Sequence, residues 1–160
     1  MDIPVTTAIR ELRAAKAEFE PFVYDYVDHG GTDRAAQELG IDEHGTVKTI
    51  VMETDAKKPL IVLMHGDREI STKQIARALG VKTVAPCTPD TVTRHTGYMV
   101  GGTSPFGTRK PLPVYAERTL FDLPHLYING GRRGLLVKIT PDVIEQILHP
   151  VRVDAAVQRT

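Results

Sequence analysis

The chain holds a single cysteine, Cys87. One thiol cannot close an internal disulfide, so the fold must rest on its own core, and a reducing, cytoplasmic compartment is expected. An excess of one charge is also missing. Twenty Lys and Arg balance twenty Asp and Glu, which disfavours a protein that coats long nucleic acid, since such proteins carry a positive excess. A local basic patch holding one short strand or one tRNA end stays compatible with neutrality. The longest apolar run, Leu60-Ile61-Val62-Leu63-Met64, falls far short of the ~20 residues that cross a bilayer, so no membrane association is expected. Met1-Asp2-Ile3-Pro4 lacks the basic-then-apolar order of a signal peptide. There is no repeat, heptad or low-complexity segment. What is present is 160 residues, 41% hydrophobic and 25% charged, the size and composition of one globular domain.

Periodicity and punctuation predict the elements. Thr7 is expected to cap a helix running to about Glu18, with Ile9 and Leu12 on its apolar face. Phe19 to Val27 reads as a strand that Gly30-Gly31 breaks, and Thr32 as the cap of a short helix that Gly40 ends. Val47 to Glu53 and Pro59 to His65 read as paired strands. Ser71 or Thr72 caps a helix to Gly80, Val81 to Ala85 is a short strand, and Thr88-Pro89 opens another helix. Tyr98 to Val100 and Leu112 to Ala116 are expected strands around a glycine-rich loop, and His125 to Ile128 pairs with Leu135 to Ile139 as a hairpin. Thr140-Pro141-Asp142 opens the last helix. Several strand pairs have short links, which demands antiparallel pairing. The class is therefore α+β with a mixed sheet, not a doubly wound parallel one. Residues 1–150 read as the domain and 151–160 as a loosely attached tail.

Three features could carry chemistry. Lys48 lies in Val47-Lys48-Thr49-Ile50-Val51-Met52, a strand apolar on both faces. A lysine there must be paired, reach water, or lose its proton more readily; it either snorkels to solvent or faces a pocket. The second feature is Gly97-Tyr98-Met99-Val100-Gly101-Gly102-Thr103-Ser104-Pro105-Phe106-Gly107, where glycines let backbone N–H groups approach a ligand and Thr103 and Ser104 add hydroxyls. It fits neither the phosphate loop with its Lys-Ser/Thr ending nor the dinucleotide fingerprint, and a purely structural loop is the competing reading. The third is Asn129-Gly130-Gly131-Arg132-Arg133-Gly134, either a plain hairpin turn or a second loop facing the first. Cys87 has no activating context, Ser104 lacks the Gly-x-Ser-x-Gly elbow, and the six histidines show no zinc spacing, so no metal is expected.

In order and spacing, Val47-Lys48-Thr49, the Gly97–Gly107 loop and Gly130-Gly131-Arg132-Arg133-Gly134 resemble the YbaK/EbsC family, relatives of the editing domain inserted in bacterial prolyl-tRNA synthetase. The resemblance spans residues 5–150. It implies a mixed, partly open sheet or barrel with flanking helices. It also implies a free-standing aminoacyl-tRNA deacylase without cofactor that clears mischarged tRNA, Cys-tRNA(Pro) foremost, in association with prolyl-tRNA synthetase. Lys48 falls on the family's essential lysine. Tyr24, Thr49, Gly101, Gly102, Thr103, Ser104, Asn129, Gly130 and Gly131 fall around the aminoacyl ester, and the cationic pairs Arg109-Lys110 and Arg132-Arg133 suit the CCA end. Leu135-Leu136 and Gly30-Gly31 depart from the cysteine-acting members, which carry an acid and an aromatic residue there. Ala- or Ser-tRNA therefore stays open as substrate. A non-catalytic module that binds a tRNA end or a synthetase, and an enzyme acting on a phosphorylated metabolite, are the other readings.

Overall fold

The computed structural model describes residues 3–159; Met1, Asp2 and Thr160 lie outside them. In chain order the elements are α1 (Thr7–Ala14), β1 (Glu20–Val23), α2 (Gly31–Leu39), β2 (Val47–Thr54), β3 (Pro59–His65), β4 (Arg68–Ile70), α3 (Thr72–Leu79), β5 (Val84–Pro86), α4 (Pro89–Thr96), β6 (Val114–Glu117), β7 (Leu126–Asn129), β8 (Leu135–Ile139), α5 (Pro141–Leu148), β9 (Val151–Val153) and β10 (Ala156–Gln158).

The apolar run at residues 60–64 becomes the centre of the molecule because β3 is covered on both faces. Ile61 and Leu63 join one core cluster with α1, α5 and β7–β8. Leu60, Val62 and Met64 join a second cluster with Ile75 and Ala76 of α3. A strand buried on both faces reads as a continuous hydrophobic run rather than an alternating one. β2 pairs antiparallel with β3 from Val47↔His65 to Glu53↔Pro59. The five-stranded sheet runs β5-β2-β3-β6-β9, with β6 parallel to β3 and β9 parallel to β6. A three-stranded antiparallel sheet, β1-β8-β7, stands beside it. A bridge from Thr46 to Tyr127 joins the two. The fold is α+β, with mixed sheets that curl toward a barrel without closing.

Helix starts follow local chemistry. Ser71 Oγ accepts from the Gln74 N–H at 3.2 Å, and Thr88 Oγ1 from the Thr91 N–H at 3.4 Å, with Pro89 just inside α4. The first helix is capped by Thr6, not Thr7, and ends at Ala14. Thr7 instead meets the Tyr98 hydroxyl at 2.7 Å. Thr32 is not a cap either: α2 starts from Gly30 with no side-chain cap, and the Thr32 hydroxyl points to Glu43 and Gly66.

Three expected strands change. The one read over Phe19 to Val27 keeps only Glu20–Val23; beyond it Tyr24 and Tyr26 leave the sheet. Tyr98 to Val100 is loop, because the Tyr98 phenol is drawn inward to Thr7 and the Phe106 carbonyl. The segment after 150 is not loosely attached. β9 pairs with β6, β10 pairs antiparallel with β4, and the buried Glu117 carboxylate accepts the N–H groups of Ala155 and Ala156 at 2.8 and 2.9 Å. Buried backbone donors need such partners, and Glu117 supplies them from a position 38 residues upstream of Ala155, beyond the reach of local pattern reading.

Candidate active site

β5 pairs with β2 only at Met52–Thr54, and the bridge to Tyr127 lies at Thr46. Between them one edge of β2 has no strand partner among the described residues. A cleft of about 620 Å³ opens along that edge, and Thr46 through Val51 all border it. An unpaired edge explains why Lys48 and Thr49, which point to opposite faces, both reach the same space. The rest of the lining comes from Tyr24 and Tyr26, the start of α2, Pro86 and Cys87 against the edge of β2, and the two glycine loops at Gly101, Thr103, Asn129 and Arg133.

Lys48 is half-buried and forms no salt bridge among the described residues. Burial holds its ammonium below the ordinary lysine range, and the charge of Arg159 adds to this against the pull of Glu43, Glu69 and Asp67. An unpaired cation in a half-dry cleft favours negative charge arriving beside it. Thr49 Oγ1 is buried without a hydrogen-bond partner among the described residues. Apart from Lys48, the charged side chains that border the cleft are Arg34, Arg133 and Asp28, which leaves the lining cationic.

The loops hold one another. Asn129 Nδ2 donates to the Gly101 carbonyl at 3.1 Å, while its Oδ1 accepts from the N–H groups of Gly131 and Arg132. Arg133 Nε donates to the Val100 carbonyl at 2.9 Å, and its guanidinium lies 5.1 Å from the centre of the Tyr26 ring. Gly101 has φ +89°, and a Cβ there would lie 2.4 Å from the Tyr26 hydroxyl. At Gly102 a Cβ would lie 2.6 Å from the Arg133 backbone nitrogen. Gly101 thus permits close approach to Tyr26, and Gly102 close approach of one loop to the other.

Of the sequence candidates, Lys48, Tyr24, Thr49, Gly101, Thr103, Asn129 and Arg133 border the cleft. Gly102, Ser104, Gly130, Gly131, Arg109, Lys110 and Arg132 do not. Ser104 is fully buried and its hydroxyl accepts from the Phe106 N–H. Gly131 faces Tyr98, Thr6 and Ala8. Arg109, Lys110 and Arg132 are exposed. Tyr26, Arg34 and the first turn of α2 were not singled out as site residues. Their signal was the Gly30-Gly31 break, at which α2 begins beside the cleft.

Cys87 also borders the cleft. Burial first, then the Glu53 carboxylate, push its thiol up to about 11, against weaker pulls from Arg94 and Lys57. It is a protonated thiol at neutral pH and a poor nucleophile. Away from the cleft, His44, His65 and Asp67 bring possible metal-ligand atoms within 4.8 Å of one another. Several of their atoms are already engaged: His44 Nδ1 with Asp67 at 2.8 Å, His65 Nδ1 with the His44 carbonyl at 2.8 Å, and His65 Nε2 with Thr119 at 2.7 Å.

Fold and cleft together define a small α+β domain whose cleft presents Lys48 and a cationic lining. Residues 30–147 match the aminoacyl-tRNA editing domain, and the chain belongs to that family. It is 27% identical over 140 residues to the Enterococcus faecalis protein named "Putative Cys-tRNA(Pro)/Cys-tRNA(Cys) deacylase EbsC", covering 87% of this chain and 85% of that one. It is 26% identical over 92 residues to the proline–tRNA ligase of Brachyspira hyodysenteriae, covering 58% of this chain and 16% of the ligase. The solved structure of "a putative trans-editing enzyme for prolyl tRNA synthetase" shares the fold, with TM-score 0.82 at 22% identity over 97% of this chain and 99% of that one. No helix among the described residues is long and apolar enough to cross a membrane.

Proposed function

We propose that the chain is a free-standing deacylase that cleaves the ester between a wrong amino acid and the terminal adenosine of a tRNA, with Cys-tRNA(Pro) as the leading substrate. The observation that carries this reading is Lys48, a half-buried ammonium without a carboxylate partner among the described residues, on the open edge of a central strand. An aminoacyl ester is already activated. Its cleavage needs orientation and stabilisation of the oxyanion that forms at the carbonyl, for which a fixed cation and preorganised donors suffice. Lys48 supplies the cation. The Gly102 N–H is already given to the Met99 carbonyl and the Thr103 hydroxyl to the same oxygen, so the loop's role is to shape the cleft more than to donate from those two groups.

The high pKa of Cys87 supports an attack that uses no enzymic thiol. In the cysteine reading the substrate's own thiol attacks its carbonyl carbon. The ester C–O bond breaks, the adenosine hydroxyl leaves with the proton, and cysteine thiolactone is released. Such an intramolecular attack gains several kcal/mol from proximity alone. For an alanyl or seryl group, water would attack instead. Val27, Ala35, Ile50 and Leu136 along the cleft suit a small, weakly polar side chain, and one methylene is discriminated by only about 1–3 kcal/mol. Tyr24 and Asn129 would frame the ester, Arg133 and Arg34 the phosphates of the CCA end. Arg109, Lys110 and Arg132 would meet more distant tRNA backbone. Prolyl-tRNA synthetase is the partner that would supply the substrate.

Purified protein offered Cys-, Ala-, Ser- and Thr-charged tRNA(Pro) tests the reading. Rapid clearance of Cys-tRNA(Pro) with trapped thiolactone is expected. Comparable clearance of Ala-tRNA(Pro) would move the assignment to water attack, and inertness toward all four would leave a binding module.

A further inference from the structure

The wall of the cleft formed by α2 is thinly anchored. The helix buries only Ala35 and Ala36, starts without a side-chain cap, and contributes Gly31, Thr32, Arg34 and Ala35 to the cleft. Its polar anchor is Thr32, whose hydroxyl lies 2.9 Å from Glu43 Oε2 and 3.2 Å from the Gly66 carbonyl. Glu43 is in turn held on both oxygens by Arg159, at 3.0 and 3.1 Å. This node has no slack: a Cβ on Gly66 would lie 2.5 Å from the Thr46 carbonyl and 2.7 Å from both the Glu43 carbonyl and the Thr32 hydroxyl. Arg159 arrives there because β10 pairs with β4 and Glu117 fixes the turn before it.

We infer that Arg159 is a positioning residue of the cleft: through Glu43 and Thr32 it holds the first turn of α2 in place. The fork of a guanidinium matches a carboxylate on both oxygens, which fixes geometry as well as charge. The charged groups that act on Lys48 are Arg159, which opposes its protonation, and Glu43, Glu69 and Asp67, which favour it. Loss of the Arg159 side chain therefore frees α2 and raises the Lys48 pKa together. Because the guanidinium side of this pair is open to solvent and such pairs add little to overall stability, the melting temperature of Arg159→Ala should hardly move. Only the consequence for substrate rests on the deacylase reading.

Arg159→Ala and Glu43→Gln are compared with the wild type by amide hydrogen exchange and by NMR titration of Lys48. Exchange across Thr32–Ala36 is expected to rise several-fold in both variants while α5 is unchanged. In Arg159→Ala the Lys48 titration moves upward, and Arg159→Lys restores the titration but not the protection of α2. With Cys-tRNA(Pro), KM rises more than kcat falls. Unchanged exchange at α2 with unchanged Lys48 titration overturns the inference, and so does a rise in exchange that spreads equally to α5. If α2 and Lys48 respond as stated while no variant, nor the wild type, deacylates any charged tRNA, the positioning role stands and the deacylase reading falls.

Discussion

Lys48 illustrates how one residue's setting decides its chemistry. At the strand edge it borders a cleft and has no paired carboxylate among the described residues. Because burial lowers its pKa, the folded state gives up this proton more readily than the unfolded one. Stability should thus rise with pH across the window between the folded and the ordinary lysine values. Replacing the charge by an apolar side chain of similar length, Lys48→Met, is expected to leave the melting temperature at pH 7 unchanged or higher, which calorimetry would show. Cys87 is the counterpart. With its thiol pushed up to about 11, alkylation by iodoacetamide should be slow at pH 7.5 and quicken about tenfold per pH unit toward pH 11. A fast reaction at neutral pH would contradict that environment. Cys87→Ser should keep any deacylase activity. Lys48 was legible as an anomaly in the sequence, an isolated charge inside an apolar strand. Its outcome was not, since snorkelling to bulk water and facing a cleft differ only in what lies across from the strand.

At the scale of elements, the two glycine loops behave as one unit. Asn129, Arg133 and Tyr26 cross-link them, and the tight spot at Gly102 is backbone against backbone. Gly102→Ala should therefore act first on structure. A methyl 2.6 Å from the Arg133 nitrogen is expected to cost about 1–3 kcal/mol as overpacking, read as a lower denaturation midpoint. A ligand-facing glycine would lose activity without losing stability. The sequence could show that glycine, hydroxyl and arginine residues concentrate in both segments, but not which glycines face the ligand and which face the other loop. That choice is made by contacts between residues about thirty positions apart. Elements with local signals were legible: the β2–β3 pairing, the Ser71 and Thr88 caps, and the hairpin of β7 and β8. Tyr98 to Val100 was not, because the aromatic and β-branched signal there serves a buried phenol's hydrogen bonds instead of a ladder.

For the whole molecule, the long-range joins carry the shape. Parallel pairing of β9 with β6 and the seating of β10 on β4 turn a segment without a strong pattern of its own into part of the frame. No local pattern announces a parallel partner more than thirty residues away. His65, at the end of β3, belongs to this frame through the His44 carbonyl and Thr119. Burial is the main reason its pKa lies below the ordinary value of about 6.5. The unfolded chain then binds the proton more readily, so stability is complete above about pH 6.5 and is lost as pH falls through the folded value. The melting temperature should drop between pH 7 and pH 5, and less steeply in His65→Gln; equal slopes would remove His65 from the account.

The central claim is that the cation of Lys48 stabilises the transition state of ester cleavage in this cleft. Single-turnover deacylation of Cys-tRNA(Pro) by wild type and by Lys48→Ala, with folding of both checked by circular dichroism, tests it directly. The account predicts a fall in rate on the order of 10²- to 10³-fold, as for loss of one oxyanion-stabilising group, at unchanged fold. A folded Lys48→Ala protein that deacylates at the wild-type rate would contradict it.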